Sequence, residues 1–128
     1  VASRTRFEVA RATDYPGRNY GLDCLHDMGD PVAAARYAAK VLAPGGTVML
    51  VEPFANDRVE DNISPIARLY YAASTTMCCA HAISEGGPLA LGAQAGEARL
   101  AEVFRKAGFT HFRRAVETPF NLVFEVRR

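Results

Sequence analysis

The stretch that decides the fold class covers residues 41–53 and reads VLAPGGTVMLVEP. Its first half ends a helix, because Pro44 cannot continue one and Gly45-Gly46 turns the chain. Residues 47–51 form an apolar run with β-branched members, which predicts a strand that is buried on both faces. Glu52 follows at the carboxyl end of that strand. The stretch therefore predicts a helix that leads into a central strand of an α/β sheet.

Helix signals recur on both sides of this stretch. Asp30-Pro31 combines an N-cap residue with a residue suited to the first helical turn, and predicts a helix over residues 31–42. Ser64-Pro65 repeats the signal and opens a helix that continues to about residue 80. A third helix is predicted over residues 97–107, with Gly108 as its stop. Besides the central strand, four further strands are predicted, at 7–10, 20–25, 112–118 and 122–126.

The order of the predicted elements is β, β, α, β, α, α, β, β. Helices that alternate with buried strands are typical of an open, mostly parallel α/β sheet. The last two strands are joined by a short link, so they form an antiparallel hairpin at its edge. A chain of 128 residues is long enough for one domain with a single core.

Composition limits the classes of partner. A net charge of +1 gives no strong field toward nucleic acid or an anionic membrane. No apolar run is long enough for a membrane helix, and no signal peptide opens the sequence. The three cysteines include no CxxC pair and the histidines are scattered, so no metal site is predicted. Buried reduced thiols in a cytoplasmic protein are the expectation.

Three segments in order resemble class I S-adenosylmethionine-dependent methyltransferases. They are residues 23–31 (DCLHDMGDP), residues 41–53, and residues 100–109, which end in AGF. The resemblance implies that residues 1–128 are a single partial methyltransferase domain, with a Rossmann-like sheet that lacks its first two strands. Residues 70–75 (YYAAST) and 91–97 (LGAQAGE) are similar to actinobacterial-type members. These members carry a winged-helix dimerisation domain upstream, which implies a homodimer of a longer parent chain.

The resemblance also implies a function. S-adenosylmethionine is the implied cofactor, and a small molecule is the implied methyl acceptor of the parent chain. The family's glycine-rich loop, roughly GxGxG, is missing from these residues, so alone they are expected to be inactive. The alternative is a non-catalytic methyltransferase-like regulatory or interaction module. A nicotinamide-dependent enzyme is disfavoured because the sequence has no GxGxxG.

Open α/β sheets bind ligands at the carboxyl edge of their strands, and the resemblance implies site residues there. His26 is the candidate catalytic base, since histidine can take a proton from a hydroxyl near neutral pH. The alternative is a histidine that caps the region of the following helix. The implied cofactor-binding residues fall in two groups, near adenine and near the methyl group: Ala12, Thr13 and Asp14, then Asp23, Cys24 and Leu25.

Three residues are candidates for binding the acceptor. Glu52 would face the substrate or orient a base, and the alternative is a solvated acid at the end of a strand. Tyr70 and Tyr71 lie on a helix that, by resemblance, covers the acceptor pocket. An aromatic ring there could stack on a planar acceptor, although core packing explains one of the two equally well.

Overall fold

The sheet has four strands in the spatial order β1-β2-β4-β3. The computed structural model describes residues 11, 13–14, 21–22 and 24–128. Strand β1 (Gly21–Leu22) pairs in parallel with β2 (Val48–Pro53), and β4 (Asn121–Arg127) pairs antiparallel with both β2 and β3 (His111–Glu117). The hairpin is therefore confirmed. One of these pairings is parallel and two are antiparallel, so a mostly parallel sheet stays a prediction, and residues 7–10 lie outside the described part.

Two predicted helix starts are confirmed by their caps. Helix α1 (Pro31–Val41) begins at Asp30, whose Oδ1 accepts a hydrogen bond from the Ala33 amide at 2.9 Å. Helix α2 (Pro65–Ala73) begins at Ser64, whose Oγ accepts from the Ala67 amide at 3.0 Å. Each cap satisfies one of the amides that a helix leaves unpaired at its start.

The second predicted helix is not one continuous α-helix. A π-helical turn (Ser74–Cys78) follows α2 and leads into helix α3 (Cys79–Ser84), so the helical path passes residue 80. The hydroxyl of Thr75 donates to the Tyr71 carbonyl at 2.8 Å, and the preceding helix receives a similar bond from Thr76. Such side-chain bonds compete with the regular backbone pattern, and π turns of this kind recur at functional sites.

The core lies between one face of the sheet and helices α1 and α4 (Glu97–Lys106). Val48 and Leu50 of β2 are fully buried in it, whereas Met49 between them is 52% exposed. The prediction of a strand buried on both faces is therefore wrong for β2. The buried residues of α1 and α4 share one cluster with Val48 and Leu50, so these helices cover that face of β2.

Charged side chains cover the outer hairpin. Arg113 pairs with Glu125, and Arg114 donates to Glu97 at 2.8 Å. The positive charges of Arg113 and Arg114 are thus matched by neighbouring carboxylates. Among the described helices, none combines the length and the apolarity needed to cross a membrane.

Gly92, in the loop between α3 and α4, lies where a side chain cannot fit. Its φ is +70°, and an added Cβ would lie 2.7 Å from Cys79 Sγ and still closer to Ser74 Oγ. Gly45 has a similar φ of +72°, but its Cβ would meet nothing within 4 Å. The two glycines therefore separate the cost of backbone conformation from the cost of steric overlap.

We expect Gly92→Ala to lower the free energy of unfolding by about 1–3 kcal/mol more than Gly45→Ala does. Both variants pay about 1–2 kcal/mol for a left-handed backbone, and only Gly92→Ala adds the overlap. Urea denaturation of the two variants measures the difference. Equal losses would mean that the packing around Gly92 yields without cost.

Candidate functional site

A buried histidine and a buried glutamate meet at the carboxyl ends of the two parallel strands. His26 lies in a 3₁₀ turn (Leu25–Asp27) after β1, and Glu52 lies near the end of β2. His26 Nδ1 is 2.6 Å from Glu52 Oε2, and the exposed fractions of the two residues are 9% and 2%. Glu52 is therefore not a solvated acid at the end of a strand. It contacts the candidate base, which is the second role that the sequence left open for it.

The pair has the geometry of an oriented base. With its proton on Nδ1, the ring donates to the Glu52 carboxylate and carries its lone pair on Nε2. The carboxylate then fixes the orientation of the ring and stabilises the positive charge that it gains when Nε2 takes up a proton. A hydroxyl brought to Nε2 could lose its proton to this ring.

Two further polar groups lie beside the same ring. His26 Nε2 is 3.5 Å from Asp27 Oδ1, and the Sγ of Cys78 lies within 4.8 Å of both the ring and this carboxylate. Burial, followed by the hydrogen bond to Asp27, raises the pKa of the Cys78 thiol from 9.0 to about 11. Cys78 is therefore a neutral thiol at physiological pH.

Sequence reasoning missed both of these residues. Cys78 was expected to be an inert core thiol, but it is only half-buried, as is Cys79, and Cys24 is exposed. The adjacency of Asp27 to His26 was a visible signal. The sequence carried no signal that Cys78 approaches His26 and Asp27, because this approach depends on the π-helical turn that ends at Cys78.

The loop between α3 and α4 holds the backbone around His26. The Gly92 amide donates to the His26 carbonyl at 3.1 Å, and the Leu89 amide donates to the Gly29 carbonyl at 3.2 Å. In return, the Gly29 amide donates to Glu85 Oε2 at 2.7 Å. These three bonds fix the segment that carries the candidate base.

The predicted adenine-side residues lie in part next to this segment. Asp14 closes a short turn, in which its amide donates to the Arg11 carbonyl at 2.9 Å. Thr13 and Arg11 line a cavity of about 660 Å³ together with Met28, which follows the 3₁₀ turn. Ala12 lies outside the described residues.

The predicted residues near the methyl group are spread over different environments. Leu25 is fully buried in the core cluster, whereas Cys24 is exposed. Asp23 lies outside the described residues. A cofactor-binding role for these positions stays a prediction.

Tyr70 and Tyr71 are both half-buried on α2. The hydroxyl of Tyr70 donates at 3.1 Å to the carbonyl of Phe120, in the link between β3 and β4. The same carbonyl accepts from the Phe54 amide at 2.8 Å. Tyr70 therefore ties α2 to the hairpin, and an acceptor-binding role for either tyrosine stays a prediction.

Comparison with solved structures identifies the architecture. The chain superposes on human N-acetylserotonin methyltransferase in complex with SAM with a TM-score of 0.67, at 19% identity, covering 95% of this chain and 33% of that one. For PigF with SAH the TM-score is 0.66, at 20% identity, with coverages of 91% and 33%. For an O-methyltransferase family protein from Burkholderia thailandensis the TM-score is 0.64, at 21% identity, covering 98% of this chain and 36% of that one.

The chain spans about a third of the length of these structures. No protein-family model and no curated protein matches the sequence. Because the sequence identities are only about a fifth, the similarity concerns the fold. It extends over more than nine-tenths of this chain in each comparison. The chain has the fold of the C-terminal part of a class I S-adenosylmethionine-dependent methyltransferase.

Proposed function

We propose that this chain carries the acceptor side of an S-adenosylmethionine-dependent methyltransferase that methylates a hydroxyl group. His26 is the general base and Glu52 is its positioning residue. The single observation that supports this most directly is the buried contact of 2.6 Å between His26 Nδ1 and Glu52 Oε2. Methylation of a hydroxyl needs a base, whereas a stronger nucleophile does not, so an oriented base favours an oxygen acceptor.

The residues near His26 fit a nucleoside-sized cofactor. The cavity of about 660 Å³ lies within the range of small-molecule sites. Thr13 and Asp30 give it polar atoms, and Met28 and Ala34 give it apolar surface. When bound, S-adenosylmethionine supplies a methyl group on a sulfonium, which is a good leaving group. Thr13, Met28 and Gly29 would hold it beside the segment that carries the base.

The chain's own residues then have two tasks. The backbone hydrogen bonds of the loop between α3 and α4 hold the His26 segment in place, so the ring is already oriented before the acceptor binds. His26 accepts the hydroxyl proton at Nε2, and Glu52 balances the resulting charge in a site that water does not reach freely. Alignment and proton removal together account for catalysis of this kind.

The remaining features of the proposal follow from the resemblance of the sequence. They are a partial Rossmann-like domain, a small-molecule acceptor, a homodimer of the intact protein and a cytoplasmic location. The solved relatives include a methyltransferase of N-acetylserotonin, which is a small molecule.

Incubation of the intact protein with labelled S-adenosylmethionine and a panel of phenols, alcohols, amines and thiols tests the acceptor class. Transfer only to amines or thiols would contradict it, and failure to bind the cofactor would favour a non-catalytic module.

Glu52→Gln is expected to lower kcat for a hydroxyl acceptor at least about tenfold, because the amide can donate to Nδ1 and stabilise the wrong tautomer. KM for S-adenosylmethionine should change little, because Glu52 contacts the base and does not line the proposed cofactor cavity. Steady-state kinetics over a range of pH measure both effects. A matched Glu117→Gln variant, at an exposed position of β3, should keep full activity. Unchanged kcat in Glu52→Gln would remove its positioning role.

A further inference from the structure

His26, Asp27 and Cys78 bring three different metal-ligating atoms together. The imidazole nitrogen, a carboxylate oxygen and the thiol sulfur all lie within 4.8 Å of one another. In tetrahedral zinc sites, where bonds measure about 2.0–2.3 Å, neighbouring ligand atoms are roughly 3.3–3.7 Å apart. The Nε2 to Oδ1 distance of 3.5 Å already meets this. Because the sulfur lies no more than 4.8 Å from the other two ligand atoms, it needs to move by at most about an ångström.

The chemistry of the three ligands selects the kind of ion. A thiolate and an imidazole favour borderline-soft ions such as Zn²⁺, and they disfavour Mg²⁺ and Ca²⁺, which prefer all-oxygen sites. Three protein ligands also leave one coordination position open for water or another small ligand. The group thus matches zinc better than the hard cations.

The surroundings of His26 resemble those of a metal-ligating histidine. Its Nδ1 contacts the Glu52 carboxylate, which is 98% buried. A carboxylate behind the ring is the usual outer partner of zinc-ligating histidines, where it fixes the tautomer that turns Nε2 to the ion. The ring orientation that suits a base therefore suits a zinc ligand as well.

We propose that His26, Asp27 and Cys78 form a site for a single Zn²⁺ ion, and that the ion inhibits the protein by occupying Nε2 of His26. Binding forms a bond between zinc and Cys78 Sγ, and the thiol proton leaves to solvent. The inhibitory part rests on the proposed function, whereas the binding part does not.

Equilibrium dialysis of the intact protein against Zn²⁺, in competition with a chromophoric chelator, tests the binding directly. We expect one ion per chain. Cys78→Ser should weaken the affinity by more than the about 10–100-fold that loss of an outer partner costs. Cys79→Ser is the matched control, because Cys79 Sγ lies 3.6 Å from Ser74 Oγ instead, and it should change the affinity less than threefold. Asp27→Asn provides a second loss of affinity if Cys78→Ser fails to fold.

Co²⁺ provides a readout that depends on the ligand type. The wild type and Cys79→Ser should show thiolate-to-cobalt charge-transfer absorption, and Cys78→Ser should lack it. Absence of stoichiometric zinc binding, or equal losses in the two cysteine variants, would overturn the proposal. Because neither measurement needs turnover, a failure here leaves the methyltransferase proposal untouched. Zinc that binds without inhibiting turnover would overturn the inhibitory part alone.

Discussion

Replacing His26 with alanine should lower kcat for methyl transfer to an alcohol by about 10²- to 10⁴-fold, the usual contribution of a general base. The imidazole is buried, is held by Glu52 at 2.6 Å, and lies at the carboxyl edge of the parallel strand pair. Its removal leaves no group oriented to accept the hydroxyl proton. Binding of S-adenosylmethionine, measured by calorimetry, should change little because the proposed cofactor cavity is lined by other residues.

The acidity of the acceptor gives this prediction a second test. A phenol acidic enough to be ionised at the assay pH needs no base, so its loss of kcat in His26→Ala should be much smaller. His111→Ala, on the exposed strand β3, is the matched control and should retain full activity. If the losses were equal for ionised and neutral acceptors, His26 would act through packing or orientation and not through proton transfer.

Phe104→Ala should lower the free energy of unfolding by about 3–5 kcal/mol, the usual cost of truncating a buried aromatic side chain. Phe104 is fully buried on α4, and its ring centroid lies 5.3 Å from that of Phe109 and 5.8 Å from that of Phe112. The substitution leaves a cavity where α4 meets the hairpin, and it removes both aromatic contacts at once.

Urea denaturation of Phe104→Ala beside Phe120→Ala measures this effect with the same chemical change. Phe120 is 55% exposed in the link between β3 and β4, and its contacts to Tyr70 and Phe54 run through its carbonyl. Its truncation should cost less than about 1 kcal/mol. Similar losses in the two variants would place the core elsewhere.

Much of the fold was predictable from local signals. The two N-caps at Asp30 and Ser64, the apolar run of β2 and the terminal hairpin all depend on contacts between neighbours in sequence, and each was found near its predicted position. The exposure of Met49 was not predictable. An apolar run indicates a strand, but it does not report whether helices cover one face or both.

Of the residues in the candidate site, only those at the ends of strands were predictable from the sequence. His26 and Glu52 each follow or end a strand, and parallel neighbours bring such positions together. The sequence left open whether Glu52 was solvated, since burial depends on what packs over the strand end. Cys78 escaped prediction because its approach to Asp27 is set by a helical irregularity 51 residues further along the chain, and no periodic pattern marks that irregularity.

The π-helical turn (Ser74–Cys78) gives the helix a break in phase. An α-helix turns by about 100° per residue, so one inserted residue rotates everything after it by that angle relative to an uninterrupted helix. A helical wheel drawn from residue 65 to residue 84 therefore assigns the second half to the wrong side. An alignment with a sequence whose helix is uninterrupted should accordingly carry a one-residue gap there. For protein engineering, deleting one residue of the turn, such as Thr76, should restore a regular α-helix and keep Cys78 on the side that faces Asp27.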